Sequence, residues 1–523
     1  MTPIEELSSS TISVDSMFLP GTSLPLINLD WNATSKPLRS VEEELMSAAF
    51  KDYGNPHSCG TLTSSTSSTL IENSKLEILR SLGLLANPYE ISFGGDGSSY
   101  WLEKLSTLFT DRPQKPVIVT FQDDLHNSLV NPFVTRGFKM LKLKTFEWVR
   151  DYIQLNESTE FVFLISLMSH LTGDVFNWNG FTHVFGEDLD RDRVKIIVDG
   201  TSWFVHQQTI PRGCTFDYLV FSGHKFPGGP GGTPGAVIYS STDEDMKREV
   251  LKIPGTPNVL GISRLAISTR LRYRLLKEDR SNEVQELYQF LLNAKESNTR
   301  FVLHSFNSPG RKANEGTTAA VFCFSVELND CKKLLHPQVV GQILLNAYGI
   351  QVRSGGQCAE ACINKLPQWE NLNDVDLTTT PILQPSVCRI SIPGYLLTRE
   401  FLTVLKEKLI DFLRVARYFL KCFEPTFQGW NFREDFLLLT KNPKASSDSQ
   451  TLKPCKTCSG RAVVATTPSS DSKTYGIMIY SKINGGVLQQ ISFYPRQNTE
   501  HYSLLSHPFR WFAIPNDIAV NEI

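Results

Sequence analysis

Five short runs between residues 116 and 240 constrain this chain most: PVIVTF (116–121), FVFLISL (161–167), VKIIVDG (194–200), DYLVFSG (217–223) and GAVIYS (235–240). A strand with one wet face alternates apolar and polar residues. These runs are apolar nearly throughout, so they read as strands covered on both faces. Covering both faces takes helices on either side of the sheet, and helical patterns do fill the intervals between the runs. From about residue 26 to 300 the expectation is therefore an α/β sheet with crossover helices. SRLAISTRLRYRLLKEDR (263–280) reads as a long helix with an apolar face and a basic, solvated one.

The pattern restarts near residue 300 as a smaller α/β unit. AAVFCFSV (319–326) reads as a strand, HPQVVGQILLNAYG (336–349) as a helix stopped by Gly349, and 399–423 as a long amphipathic helix. Four regions are expected: a Ser/Thr-rich loose tail (1–25), a large domain (26–300), a smaller α/β domain (301–430), and a linker with a small β-rich extension (431–523). In the last region, 441–460 and 466–473 read as linkers, and 475–495 as a hairpin around Asn-Gly-Gly.

Composition removes several classes of function. A formal net charge of −2 gives no electrostatic case for nucleic acid or an anionic membrane. No apolar run approaches the roughly 18 residues that span a bilayer. The first residues, MTPIEELSSSTISVDSMF, lack the pattern of a secretory signal or a transit peptide. Ten cysteines without regular spacing suit a reducing compartment, so a cytoplasmic location is expected. The pair Cys455/Cys458 has no close second pair, and no metal site is expected.

FSGHKFPGGPGGTPG (221–235) places one lysine between a histidine and a run of Gly and Pro that no helix survives. The neighbouring run ends in Asp199. Asp199 and Lys225 at the ends of adjacent buried strands would make a buried ion pair, and structure alone would explain them. Ser222 and His224 beside the lysine, however, suit an anion next to an amine that attacks a carbonyl. A desolvated lysine is the usual Schiff-base nucleophile. Pyridoxal 5'-phosphate supplies both carbonyl and anion, and needs a carboxylate at its ring nitrogen.

The segment from Asp199 to Lys225 resembles the lysine motif of the class V, fold-type I, pyridoxal-phosphate enzymes, the group that contains the cysteine desulfurases. LINLDWNATSKP (26–37) resembles that family's opening strand, and YGNPHS (53–58) follows it at the family's distance. ISFGGDGSSYWLEKL (91–105) is a strand, a Gly-rich turn and a helix start, where a helix N-terminus favours a phosphate. The resemblance places the phosphate at Gly97 and Ser98, although the residues alone read as a plain β–α connection. It implies that His126 stacks on the cofactor ring and that Arg389 binds the substrate carboxylate as a fork. It also implies that Thr256 reaches the phosphate of a partner subunit, which makes the protein a homodimer.

The resemblance further implies a large domain with a mostly parallel seven-stranded sheet flanked by helices, plus a smaller C-terminal α/β domain. GIQVRSGGQCAEAC (349–362) resembles the loop whose cysteine takes sulfur in desulfurases; Cys358 holds that position, with Arg353 upstream. Two positions depart from the family. Ser202 stands where many desulfurases have a glutamine, and His170 where they have an asparagine, so the surroundings of the cofactor's ring oxygen are altered. The expected activity is that of a pyridoxal-phosphate enzyme acting on an amino acid, desulfurase-like, with a sulfur-acceptor protein as a partner. The alternatives are an aminotransferase, lyase or epimerase that ignores Cys358, and a scaffold without turnover.

Overall fold

The computed structural model describes residues 7, 13–15, 23–49, 52–58, 60–142, 144–186, 189–253, 255–296, 299–306, 319–366, 385–419, 423–426, 429–432, 453–454, 462–469, 472–483 and 487–493. Cys455 and Cys458, and most of the stretch between Cys358 and Arg389, lie outside them.

All five apolar runs are strands of one sheet. In chain order it comprises Tyr89–Gly94 (β1), Val117–Thr120 (β2), Met140–Lys142 (β3), Phe161–Ser166 (β4), Val194–Asp199 (β5), Tyr218–Ser222 (β6) and Gly235–Ser240 (β7). The spatial order is β1-β7-β6-β5-β4-β2-β3. β7 runs antiparallel to β1 and β6, and the remaining neighbours pair parallel. Alternate residues of β5 enter opposite cores: Val194, Ile196 and Val198 on one side, Ile197 on the other. Both faces are dry, which is why the period of two is invisible in the sequence. β3 has three residues, two of them partly exposed, and carries too little apolar pattern to be read beforehand.

The second sheet is antiparallel and has five strands. Thr299–Leu303 (β8), Ala320–Leu328 (β9), Val387–Ile392 (β12) and Arg353–Gly355 (β11) lie side by side in that order, and Lys333–Leu334 (β10) pairs with β9. Its helices include Pro337–Tyr348, ended by Gly349 at φ +70°, and Arg399–Phe419.

Four expectations change. The segment read as the opening strand of the large domain belongs by pairing to the small one. Ile27–Asn28 runs parallel to Ile350–Gln351, and Ser391 N–H donates to Leu29 O at 2.7 Å. Within the presumed loose tail, Ser13–Asp15 pairs with Ser23–Pro25, and Leu7 is buried in the small-domain core. Residues 466–473 are largely strand rather than linker, because Ala462–Ser469 and Ser472–Ile483 pair in register from Ala462↔Ile479 to Ser469↔Ser472. The expected hairpin is present as Ser472–Ile483 against Val487–Phe493.

The helix expected to carry a solvated basic stripe spans Val259–Leu275. Arg264 is paired with Glu42 and Arg270 with Glu44. Arg272 is fully buried: Nη1 donates to Phe204 O at 3.1 Å and to Gln207 O, and Nη2 to Gln208 O at 2.7 Å. Its guanidinium lies 5.4 Å from the Phe204 ring and 5.2 Å from that of Phe226. Carbonyls and aromatic faces replace the water that the sequence pattern suggested.

Candidate active site

The C-terminal ends of β5 and β6 carry the two central groups. β5 ends on Asp199, and β6 runs into the single turn Gly223–Lys225. The Gly/Pro run after the lysine exists because backbone passes very close to backbone. A Cβ on Gly229 would lie 2.0 Å from Gly223 O, and one on Gly235 would lie 2.1 Å from Gly97 O. The second approach seats the turn at Gly97 against the start of β7. Behind the lysine, Phe226 stacks on Phe221 at 5.8 Å and rests on Arg272.

Lys225 is half-buried, and its ammonium pKa falls to about 8. Burial is the main cause; Asp199 and Asp30 oppose it, while Arg389 and Arg353 reinforce it. Burial raises the Asp199 carboxyl, against the Thr201 hydrogen bonds and the nearby Lys225 charge; its Oδ1 accepts from Thr201 N–H at 2.9 Å. A cation brought against Asp199 would favour its charged form.

Three hydroxyls meet at the N-terminus of the helix Ser98–Thr110, which Gly97 caps without a side chain. Ser98 N–H donates to Ser222 Oγ at 2.8 Å. The Ser98 hydroxyl lies 3.1 Å from that of Ser222 and 3.2 Å from that of Thr201. A helix dipole end with three hydroxyls and no intruding Cβ fits a phosphate. Thr201 was not singled out from the sequence, although it directly follows Asp199-Gly200.

His126 caps the helix Asn127–Thr135, its Nδ1 accepting from Ser128 N–H at 3.1 Å. Burial, then the charges of Lys225, Arg353 and Arg389, lower its pKa to about 3. The ring is therefore neutral and free to face an aromatic cofactor. His170 packs edge-on against it, centroids 5.1 Å apart. His170 Nε2 donates to Gln357 O at 2.9 Å, so its ring N–H is committed to the cysteine loop. Ser202 is buried and begins the short helix Trp203–His206 without a side-chain cap bond. His224 is half-buried beside Thr34, and burial lowers its pKa to about 4.

The small domain delivers the other half. Arg389, on β12, is 1 % exposed. Its Nη1 donates to His170 O at 3.1 Å, and its Nη2 pairs with Asp30 Oδ1 at 2.5 Å. Asp30 reaches it because Leu29 and Trp31 are stitched to Ser391 of the same strand. Arg353 sits opposite Arg389 in the β11–β12 register, and its Nη2 lies 3.6 Å from Cys358 Sγ. Asp30 and Gln357 are site residues that the sequence reading did not assign. Thr256 is exposed, and its hydroxyl accepts from Asn55 at 3.4 Å; no hydrogen bond joins it to this group. Cys362 is buried beneath the loop. Among the described residues no cluster of His, Cys, Asp or Glu fits a metal ion, and no helix is long and apolar enough to cross a membrane.

Comparison with known proteins identifies the family and the fold. Residues 27–400 match the family model described as aminotransferase class-V. A NifS-like protein from Rickettsia africae shares the fold at a TM-score of 0.54 and 18% identity, over 74% of this chain and 99% of that one. A cysteine desulfurase from Thermococcus onnurineus does so at 0.56 and 18% identity, over 74% and 95% of the two chains. The cysteine desulfurase CsdA from Escherichia coli gives 0.52 and 17% identity, over 79% and 99%. No curated protein matches the sequence.

Proposed function

Since this chain belongs to the aminotransferase class-V family, we propose that it is a pyridoxal-phosphate enzyme acting on an amino acid, desulfurase-like in its use of Cys358. The carrying observation is the desolvated Lys225 amine, with Asp199 at the same sheet end and two arginines facing it. The hydroxyls of Ser98, Thr201 and Ser222 would hold the phosphate, Asp199 the ring nitrogen and His126 one ring face.

Bound there, the cofactor supplies an aldehyde for the amine and a ring that withdraws electrons from the substrate Cα. A Lys225 pKa of about 8 leaves part of the amine unprotonated near neutral pH, able to attack a carbonyl and later to move the Cα proton. Arg389 would orient the substrate carboxylate, which must take over the place of Asp30 on Nη2. With cysteine as substrate, its Cβ–S bond breaks and the sulfur joins Cys358 Sγ. Cysteine and the Cys358 thiol thus become alanine and a Cys358 persulfide, which a thiol on an acceptor protein discharges. Thr256, exposed on its loop, would complete the site of a second copy in a homodimer.

A second reading is transamination, elimination or epimerisation without Cys358. It is favoured by Arg353, placed to serve a substrate anion as readily as the thiol. Borohydride reduction of the cofactor-loaded protein, followed by peptide mass spectrometry, should find a pyridoxyl group on Lys225; its absence overturns the proposal. Sulfide release from cysteine that vanishes in Cys358→Ala supports the desulfurase form. Undiminished turnover in that variant selects the second reading.

A further inference from the structure

The two sides of the site come from different domains, so something must hold the cysteine loop against the large domain. Gln357 and Cys358 adopt φ +56° and +58°, a left-handed conformation that non-glycine residues take only when surroundings enforce it. Their two consecutive carbonyls are both taken by donors of the large domain. Cys358 O accepts from Asn127 N–H at 2.8 Å, and Gln357 O accepts from His170 Nε2 at 2.9 Å. The first donor is backbone that any sequence would supply. The second is a side chain.

His170 touches each part of the site. Its ring packs edge-on against His126, its own carbonyl accepts from Arg389 Nη1, and its Nε2 reaches the loop. A carbonyl oxygen only accepts, so Nε2 carries the proton and Nδ1 keeps a lone pair. Burial, with His126 and Arg389 nearby, keeps the ring neutral, and this tautomer persists at physiological pH. The ring therefore has no N–H left to offer another acceptor.

We infer that His170 is a positioning residue: its Nε2–H docks the Cys358 loop onto the large domain and couples the placement of that loop to Arg389 and His126. The inference concerns the same site as the proposed function but rests on the loop's hydrogen bonds and not on the chemistry, so either can fail without the other.

The test uses the full chain and backbone amide exchange read by mass spectrometry. His170→Gln and His170→Met are matched in length and differ in the N–H that reaches Gln357 O. With His170→Met, the Asn127 amide, which is protected only while Cys358 O stays in place, should exchange about tenfold faster, and iodoacetamide should alkylate the half-buried Cys358 several-fold faster. His170→Gln should keep both rates within about twofold of the parent. Amides of β4 serve as the control and should not change in either variant. Equal Asn127 protection in the Met and Gln variants overturns the inference. So does a rise in exchange spread equally over β4, which marks general loosening in place of a released loop.

Discussion

Arg272 and Arg389 are both fully buried, in opposite halves of the molecule, and their partners differ in kind. Arg272 spends its Nη groups on the carbonyls of Phe204, Gln207 and Gln208 and lies between two phenylalanine rings. Those partners are main chain of the segment that follows Asp199, and they have nowhere to go. Arg389 spends one Nη on a carbonyl and the other on Asp30, a side chain still 12 % exposed. A carboxylate on a rotatable arm can be exchanged for another carboxylate; three backbone carbonyls cannot. The half containing Lys225 is thus fixed by its own backbone, and the half containing Arg389 is held by partners that a ligand can replace.

Arg272→Met should produce the largest effect. It strips donors from three buried carbonyls, and a loss of about 3–5 kcal/mol in unfolding free energy is expected. Urea unfolding measures it, and an unchanged midpoint would remove the contrast. Arg389→Met should cost less, about 2–3 kcal/mol, because Asp30 can turn to water, while affinity for a carboxylate-bearing substrate falls steeply. If both arginines cost the same, Asp30 is as immobile as the carbonyls.

Acid should loosen the seam between the halves next. His206 joins them through Nε2 and Asn32 Oδ1 at 2.7 Å, and burial, with Arg389 and Lys225 adding to it, holds its pKa near 3. Its unfolded value is near 6.5, so the unfolded chain binds the extra proton first. The stabilisation is complete above pH 6.5 and declines as pH falls toward 3, by about 2–3 kcal/mol at pH 4.5. His206→Gln should flatten that part of the stability–pH curve; an unaltered slope would show that another group controls it. Asp30→Asn should give the smallest change in stability, about 1 kcal/mol, together with tighter binding of simple carboxylates to Arg389. Unchanged carboxylate affinity would mean that Asp30 does not compete for the fork.

The large sheet was legible because burial on both faces leaves uninterrupted apolar runs. The lysine turn was legible because a run of Gly and Pro rules out helix there, and only Gly lets backbone approach as it does at Gly229 and Gly235. His126, His170, Lys225 and Arg389 were named from motif order, and the fold brings them together. Asp30 and Gln357 were not named. Asp30 sits in a segment whose pairing partner lies more than 300 residues away in the chain, and Gln357 contributes a carbonyl, which every residue has. Arg272 was misread because a helix period reports which face a residue occupies, and nothing about what covers that face.

By itself the sequence determined the covered sheet, the family and the amine at the end of β6, since each rests on local periodicity or on residues adjacent in the chain. Tertiary structure decided which charges face one another. It set Asp30 against Arg389, put Arg272 in the dry interior and gave the one N–H of His170 to the cysteine loop. Coulombic and hydrogen-bond energies fall off over a few ångströms, and distance along the chain does not measure that separation.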